Sequence, residues 1–348
     1  MKKLIFTSLI VLILGILSAC GGSNNETSGD GGSTSESGET LKLRAATGSV
    51  QDHSSYKGLE KFKEIVEEKA EGAIEVELYH SGQLGDDRAM TEAVQLGTQE
   101  MAIVSVGNVT PFVPESAIVE FPFIFPSNEV AYEVLDGPAG QKILDKFPEK
   151  NMIGLGFWEN GFRNVTSNVQ QIETAEDFEG LKLRTMSNDV HIDAFKALGA
   201  NPTPMAFTEL YTGLQQGAVD GQENPYPLIY LNKFFEVQKY MSDTQHVYSP
   251  YLVLLSKNFY DQLTEEQQGI VKEAAIEAGK YQREVNQEQV QEYLQEIIDS
   301  GKIEFTEVSE EARNEMKELV QPVIDQHSDV VGEDIVDAIY DAVEKASK

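Results

Sequence analysis

An α/β fold in two domains is what this sequence predicts, on three observations. From Leu41 onward, short apolar runs with the alternation of strands are followed by amphipathic runs with the spacing of helices, the pattern of a sheet that carries binding loops at its strand ends. The 348 residues, 41% of them hydrophobic, suffice for two domains of ordinary size. A late helical run, Thr264 to Ser300, would extend about 55 Å as one helix, more than a domain of ~150 residues is wide. Such a helix crosses both domains unless Gly269 and Gly279 break it.

Residues 1–19 have the composition of an export signal. Lys2 and Lys3 precede an apolar run, Leu4 to Leu17, that is too short to span a membrane, and Leu17-Ser18-Ala19-Cys20 follows. Residues 21–40 are Gly, Ser, Thr, Asn and acidic residues with no apolar side chain to bury, so residues 20–40 read as a flexible tether.

The folded part then opens with Leu41 to Thr47 as a strand. Ser54 or Ser55 caps a helix that sets Tyr56, Leu59, Phe62, Ile65 and Val66 on one side and stops before Gly72, and Ile74, Val76 and Leu78 alternate as the next strand. A helix from about Asp86 to Leu96, a strand from Met101 to Val106 and a helix from about Asn128 to Gly137 continue the series. Met152 to Trp158, Leu181 to Met186 and Tyr251 to Ser256 are further strands. Helices from Val190 to Leu198 and from Thr208 to Gln216 lie between the last two, punctuated by Pro202, Pro204, Pro225 and Pro227. Thr264-Glu265-Glu266-Gln267 has the form of a capped start for the long helical run, which ends at Gly301.

The formal charge is −31 at pH 7, and loss of the two signal lysines makes the remainder more acidic still. That balance argues against nucleic acid and against anionic lipid as partners. A single cysteine excludes an internal disulfide, and the five histidines have no ligand spacing, so neither a metal nor a cofactor is expected. No nucleophile elbow, phosphate-cradling loop or His-Glu-x-x-His motif is present, and no enzymatic activity is expected.

Against this acidic background, Arg163 and Arg184 stand among apolar residues, each where a strand signal meets a loop. A guanidinium stays charged and its fork of donors fits a carboxylate, so an anion of the protein or of a ligand has to meet each one. Around them lie, in order, Ser81-Gly82-Gln83-Leu84-Gly85, Gly161-Phe162-Arg163, Gly180-Leu181-Lys182-Leu183-Arg184, Met205-Ala206-Phe207-Thr208-Glu209-Leu210-Tyr211 and Val219-Asp220-Gly221-Gln222-Glu223-Asn224-Pro225. With these motifs the chain resembles, from Leu41 on, a DctP-type substrate-binding protein of the TRAP (tripartite ATP-independent periplasmic) transporters.

The resemblance implies a periplasmic-binding-protein-like fold of type II kind, in which two α/β domains close on a ligand about a hinge and a long helix spans both. In the family pattern the chain crosses between domains near Asn160, near Ser249 and within the long helix. That divides it into residues 41–160 with 250–288 and residues 161–249 with 289–348. An organic-acid ligand and delivery to the small and large TRAP membrane subunits are implied as well. Leu-Ser-Ala-Cys resembles the bacterial lipobox, in which Cys20 would become the lipidated first residue and anchor the protein to the cell membrane.

Site residues carry over one by one. Arg184 matches the arginine that receives the ligand carboxylate; Arg163 matches a second arginine beside it, or braces the hinge. Asn224 matches an asparagine hydrogen-bonded to the ligand, or is a turn residue before Pro225. Phe207 packs on the ligand or belongs to the core, and Trp158 walls the pocket or belongs to the core. The first domain is expected to offer His53, Tyr56, Asp87, Ser105 and Asn108, with Asp87 rather a helix cap. A ligand-sensing lipoprotein and a lipid-anchored enzyme are the other two classes. Recovery of an unmodified ligand separates binding from catalysis, and a neighbouring pair of membrane-subunit genes separates transport from sensing.

Overall fold

The computed structural model describes residues 40–348. The export signal, Cys20 and the tether as far as residue 39 lie outside the described residues. The chain opens β-α-β-α-β, as the patterning predicts: β1 (Leu41–Thr47), α1 (Ser54–Lys69), β2 (Ile74–Tyr79), α2 (Asp87–Leu96) and β3 (Met101–Ser105). Strand β1 runs parallel to both β2 and β3. Leu59, Phe62, Ile65 and Val66 bury one side of α1 against this sheet. The helix starts differently from the expectation, because neither Ser54 nor Ser55 is its cap. His53 takes that place, its Nδ1 accepting the Ser55 N–H at 3.1 Å.

Helices α3 (Asn128–Asp136) and α4 (Pro138–Leu144) lead into β4 (Met152–Ser167). Then follow β5 (Lys182–Thr185), α5 (Asp189–Ala197), β6 (Asn201–Pro204), α6 (Phe207–Gln215), β7 (Gly221–Asn224), α7 (Tyr226–Leu231) and β8 (Tyr240–Ser256). The remainder is α8 (Lys257–Tyr260), α9 (Glu265–Asp299), β9 (Glu304–Glu307), α10 (Glu310–Val331) and α11 (Glu333–Ala346). Among the described residues no helix is long and apolar enough to cross a membrane.

Strands β4 and β8 depart most from the patterning. Only the apolar half of each is legible as a strand, yet they are 16 and 17 residues long and pair antiparallel along their lengths. Their other halves carry polar side chains that are nonetheless buried, among them Arg163, Asn164, Thr166, Thr244 and His246. The ribbon joins the strands β1 to β3, called the first lobe, and β5 to β7, called the second, into one sheet of order β2-β1-β3-β8-β4-β7-β5-β6. Near its Ser256 end β8 pairs with β3, and near its Tyr240 end with β9. Midway, between Glu159 and Gly161, the register of β4 shifts, so Asn160 is an extra residue that no partner opposes. Gly161 follows with φ +117°, a conformation that favours glycine.

Helix α9 is a single helix of 35 residues, about 52 Å long. Thr264 and Gln267 form the predicted capping box, and neither Gly269 nor Gly279 breaks the helix. Val271, Ala274, Ala275 and Ala278 pack with α1 and the first-lobe strands, whereas Ile297 belongs to a separate cluster with Leu210, Leu214, Ile229 and Phe234. A third cluster gathers side chains of α2 to α5, α10 and α11. At Gly279 the indole of Trp158 lies against the helix, and its Nε1 donates to the Ala275 carbonyl at 3.0 Å.

Candidate ligand-binding site

A cavity of about 30 Å³, tighter than the usual small-molecule site, lies where the two lobes meet at the ribbon. Nearly half of its lining comes from the carboxyl ends of parallel strands, where an open α/β sheet leaves its loops free. Gly48 and Ser49 follow β1, Ser105 ends β3, Arg184 and Met186 lie at the end of β5, and Asn224 ends β7. Asp87 and Asn108 complete the first-lobe side, and Phe207 and Leu228 the second-lobe side. The ribbon supplies Asn160, Arg163 and Tyr251, so the bulge in β4 turns the unopposed Asn160 into the cavity.

The two arginines differ in what meets them. Arg163 is buried and donates to the Glu223 carboxylate through Nε, and through Nη2 at 2.8 Å; Nη2 also reaches the Asn224 Oδ1 at 3.1 Å. His246 Nε2 lies 3.2 Å from the same carboxylate. Burial works against the Glu223 charge, but Arg163 and the hydrogen bonds from His246 and Arg163 outweigh it and hold the pKa well below the usual carboxylate range. Arg184, equally buried, has no such partner. Its Nε and Nη2 donate to the Met205 carbonyl at 2.9 and 2.7 Å, and Nη1 has no hydrogen-bond partner among the described residues. Burial pulls its pKa down to about 10, so it stays charged at neutral pH.

Asp87 faces the cavity rather than capping α2. The cap is Asp86, whose carboxylate accepts the Ala89 N–H at 2.8 Å. Asp87 Oδ2 accepts from the Ser105 N–H at 3.0 Å and from Asn108 Nδ2 at 3.3 Å. Burial pushes its pKa up to about 6, against the pull of those two hydrogen bonds.

Of the anticipated residues, Arg184, Arg163, Asn224, Phe207, Asp87, Ser105 and Asn108 meet around the cavity, and His53, Tyr56 and Trp158 do not line it. His53 is committed to capping α1, and burial holds its pKa down to about 3, which leaves the ring neutral with its proton on Nε2. Tyr56 sets its ring edge-on to His80 at 5.6 Å. Trp158 is core, packed among α1, α9 and the first-lobe strands. Asn224 is part of the Arg163 network, its Nδ2 donating to the Gln222 side chain. Glu223, the acid that neutralises Arg163, escaped the sequence reading although it stands inside the motif that ends in Asn224. Ser49, Asn160, Met186, Leu228 and Tyr251 escaped it too.

Residues 46–329 match the model of the bacterial extracellular solute-binding protein, family 7. The chain belongs to that family. This solute-binding protein is 36% identical over 284 residues to the C4-dicarboxylate-binding periplasmic protein DctP of Rhodobacter capsulatus, an alignment covering 81% of this chain and 85% of that one. Its fold superposes, at a TM-score of 0.85 and 36% identity, on the sugar acid binding protein DctPAm from Advenella mimigardefordensis in complex with galactonate, covering 88% of this chain and 99% of the other. A TRAP periplasmic solute binding protein from Shewanella oneidensis with bound succinate gives 0.83 at 28% identity, with 87% and 99% covered. The solute-binding protein is thus an extracytoplasmic receptor with a two-domain fold and not an enzyme.

Proposed function

We propose that this solute-binding protein captures an organic acid between its lobes and delivers it to the small and large membrane subunits of a TRAP transporter. One observation carries the ligand class: Arg184 is a buried guanidinium at a cavity, with no acid among the described residues in ion-pair contact with it. A buried charge without a direct ion-pair partner is expensive, and a ligand carboxylate offsets that cost. Relatives bound to galactonate and to succinate support the same class. In this reading Arg184 grips the carboxylate, while Arg163, Asn224, Phe207, Ser105, Asn108 and Asp87 complete the site.

Residues 41–160 with 250–288 form one domain and residues 161–249 with 289–348 the other, and they close about the ribbon and α9. Each lobe supplies half of the lining, so the closed state offers contacts that the open state lacks, and only that difference in affinity shifts the equilibrium. Cys20 carries the lipid that anchors the protein, through the tether, to the cell membrane.

Mass spectrometry of the small molecules released on denaturing the purified protein tests the ligand class, with an unmodified organic acid expected. Release of a compound without a carboxylate would remove Arg184 from the centre of the site. For the anchor, Cys20→Ala should release the protein from the membrane fraction; retention equal to the parent would show that the cysteine is not the anchor.

A further inference from the structure

The first-lobe side of the cavity holds an acid with one oxygen unshared. Asp87 uses Oδ2 for both of its hydrogen bonds, and Oδ1 has no partner among the described residues. That oxygen lies beside Gly48, where a Cβ would stand 2.9 Å from it, so glycine keeps Oδ1 uncovered toward the cavity. An uncovered carboxylate oxygen is an acceptor only, and it asks for a donor from whatever occupies the cavity.

Resting on the carboxylate reading above, we propose that Asp87 selects the distal end of the ligand: the site takes a hydroxylated monocarboxylate and excludes dicarboxylates. The arginines lining the cavity are Arg163 and Arg184, and Glu223 already answers the first of them. One guanidinium is left, which is enough for one carboxylate. A second carboxylate, held at the far end of a short acid, would face Asp87 with no second free guanidinium to pair with, and like charges brought together out of water repel strongly. A hydroxyl donates to Oδ1 instead and has lone pairs for a neighbouring donor. Asn108 and Asn160 offer amide groups there, and Ser49 and Tyr251 join their hydroxyls at 3.1 Å. An attraction at one end and a repulsion at the other is how a small site separates acids of similar length.

The test is calorimetric titration of the full mature chain, stripped of ligand by unfolding and refolding. The probes are hydroxylated monocarboxylates of four to six carbons including galactonate, the dicarboxylates succinate and malate, and the amino acid serine. The expected result is that a hydroxylated monocarboxylate binds at least about a hundredfold tighter than either dicarboxylate or serine. Asp87→Asn, whose fold is checked by its melting curve, should weaken that acid by roughly ten- to a hundredfold, the loss of a hydrogen bond to a charged group. It should leave the dicarboxylates unchanged or improve them. A dicarboxylate or serine as the tightest ligand overturns the proposal, and so does an Asp87→Asn variant with the parent's preference. Failure of every carboxylate to bind, with Arg184→Ala indistinguishable from the parent, overturns the carboxylate reading together with the selectivity built on it. Tight dicarboxylate binding that Arg184→Ala abolishes overturns the selectivity alone.

Discussion

Arg163 and Glu223 form an ion pair closed off from solvent, with 1% and 0% of their side chains exposed. Their charges cancel within the protein, so the pair braces β4 against β7 at the place where the lobes meet. Removing one partner of such a pair strands the other charge and typically costs about 3–5 kcal/mol. Glu223→Ala should lower the stability of the empty protein by that order, read from urea unfolding. A loss under about 1 kcal/mol would mean that the pair is not structural.

Arg184 should behave in the opposite way. No ion pair among the described residues is broken by its removal, so Arg184→Ala should melt near the parent when empty. In binding, the lost ion pair should cost about two to three and a half decades of affinity, and most of the ligand-induced rise in melting temperature should vanish. Arg184→Lys should fall between the two, since a point charge replaces a planar fork. Normal binding by an alanine variant that is strongly destabilised while empty would make Arg184 a structural residue.

Asp87 gives the empty protein a pH dependence whose sign follows from its raised pKa. Its folded pKa is raised to about 6, so the folded chain holds a proton that the unfolded chain releases, and the ionised form disfavours folding. The penalty is full above pH 6 and fades as the pH falls through 6 toward 4. Asp87→Asn removes it while keeping an oxygen for the Ser105 N–H and Asn108. The empty variant should therefore be more stable than the parent at pH 8, by up to about 3 kcal/mol, with the gap narrowing by pH 5. Melting curves at the two pH values decide it; a gap that widens toward pH 5 would reverse the assigned sign.

Two glycines of α9 separate helix propensity from packing. A Cβ at Gly269 meets nothing within 4 Å, so Gly269→Ala should stabilise by up to about 1 kcal/mol. A Cβ at Gly279 would sit 2.7 Å from Trp158 Nε1, on an indole that is buried and hydrogen-bonded to the same helix. Overpacking of about 1–3 kcal/mol then outweighs the propensity gain, and Gly279→Ala should destabilise. Denaturant midpoints of the two variants should move in opposite directions; movement in the same direction would show that the indole yields.

The residues explain how far the sequence could be read. The opening β-α-β units and α9 were legible because their apolar spacing is periodic and their ends carry caps. The polar halves of β4 and β8 were not, because residues such as Thr166 and His246 are buried through hydrogen bonds made across the sheet, and no local pattern announces them. Helices α10 and α11 went unread as well, and Pro322 inside α10 is a residue that normally argues against a helix. At the site, motif matching brought out the two arginines but not the difference between them. That difference depends on Glu223, one residue from Asn224 and on the face of β7 that meets Arg163. Ser49 and Tyr251 are ordinary residues singled out only by lying where strands end or cross.

The ribbon of β4 and β8 also governs the order in which the chain can fold. Strand β3 finds its second neighbour only in Tyr251–Leu255, about 150 residues further along, and β4 waits for the same strand. Neither lobe can complete its sheet until most of the chain is available, and pairings so distant in sequence are slow to form. Until then the apolar run Met101–Val104 has an open edge of the kind that recruits other chains. Fragments that stop short of Tyr251 therefore carry the arginines, the acid and most of the cavity wall, yet have no strand with which to close the first lobe.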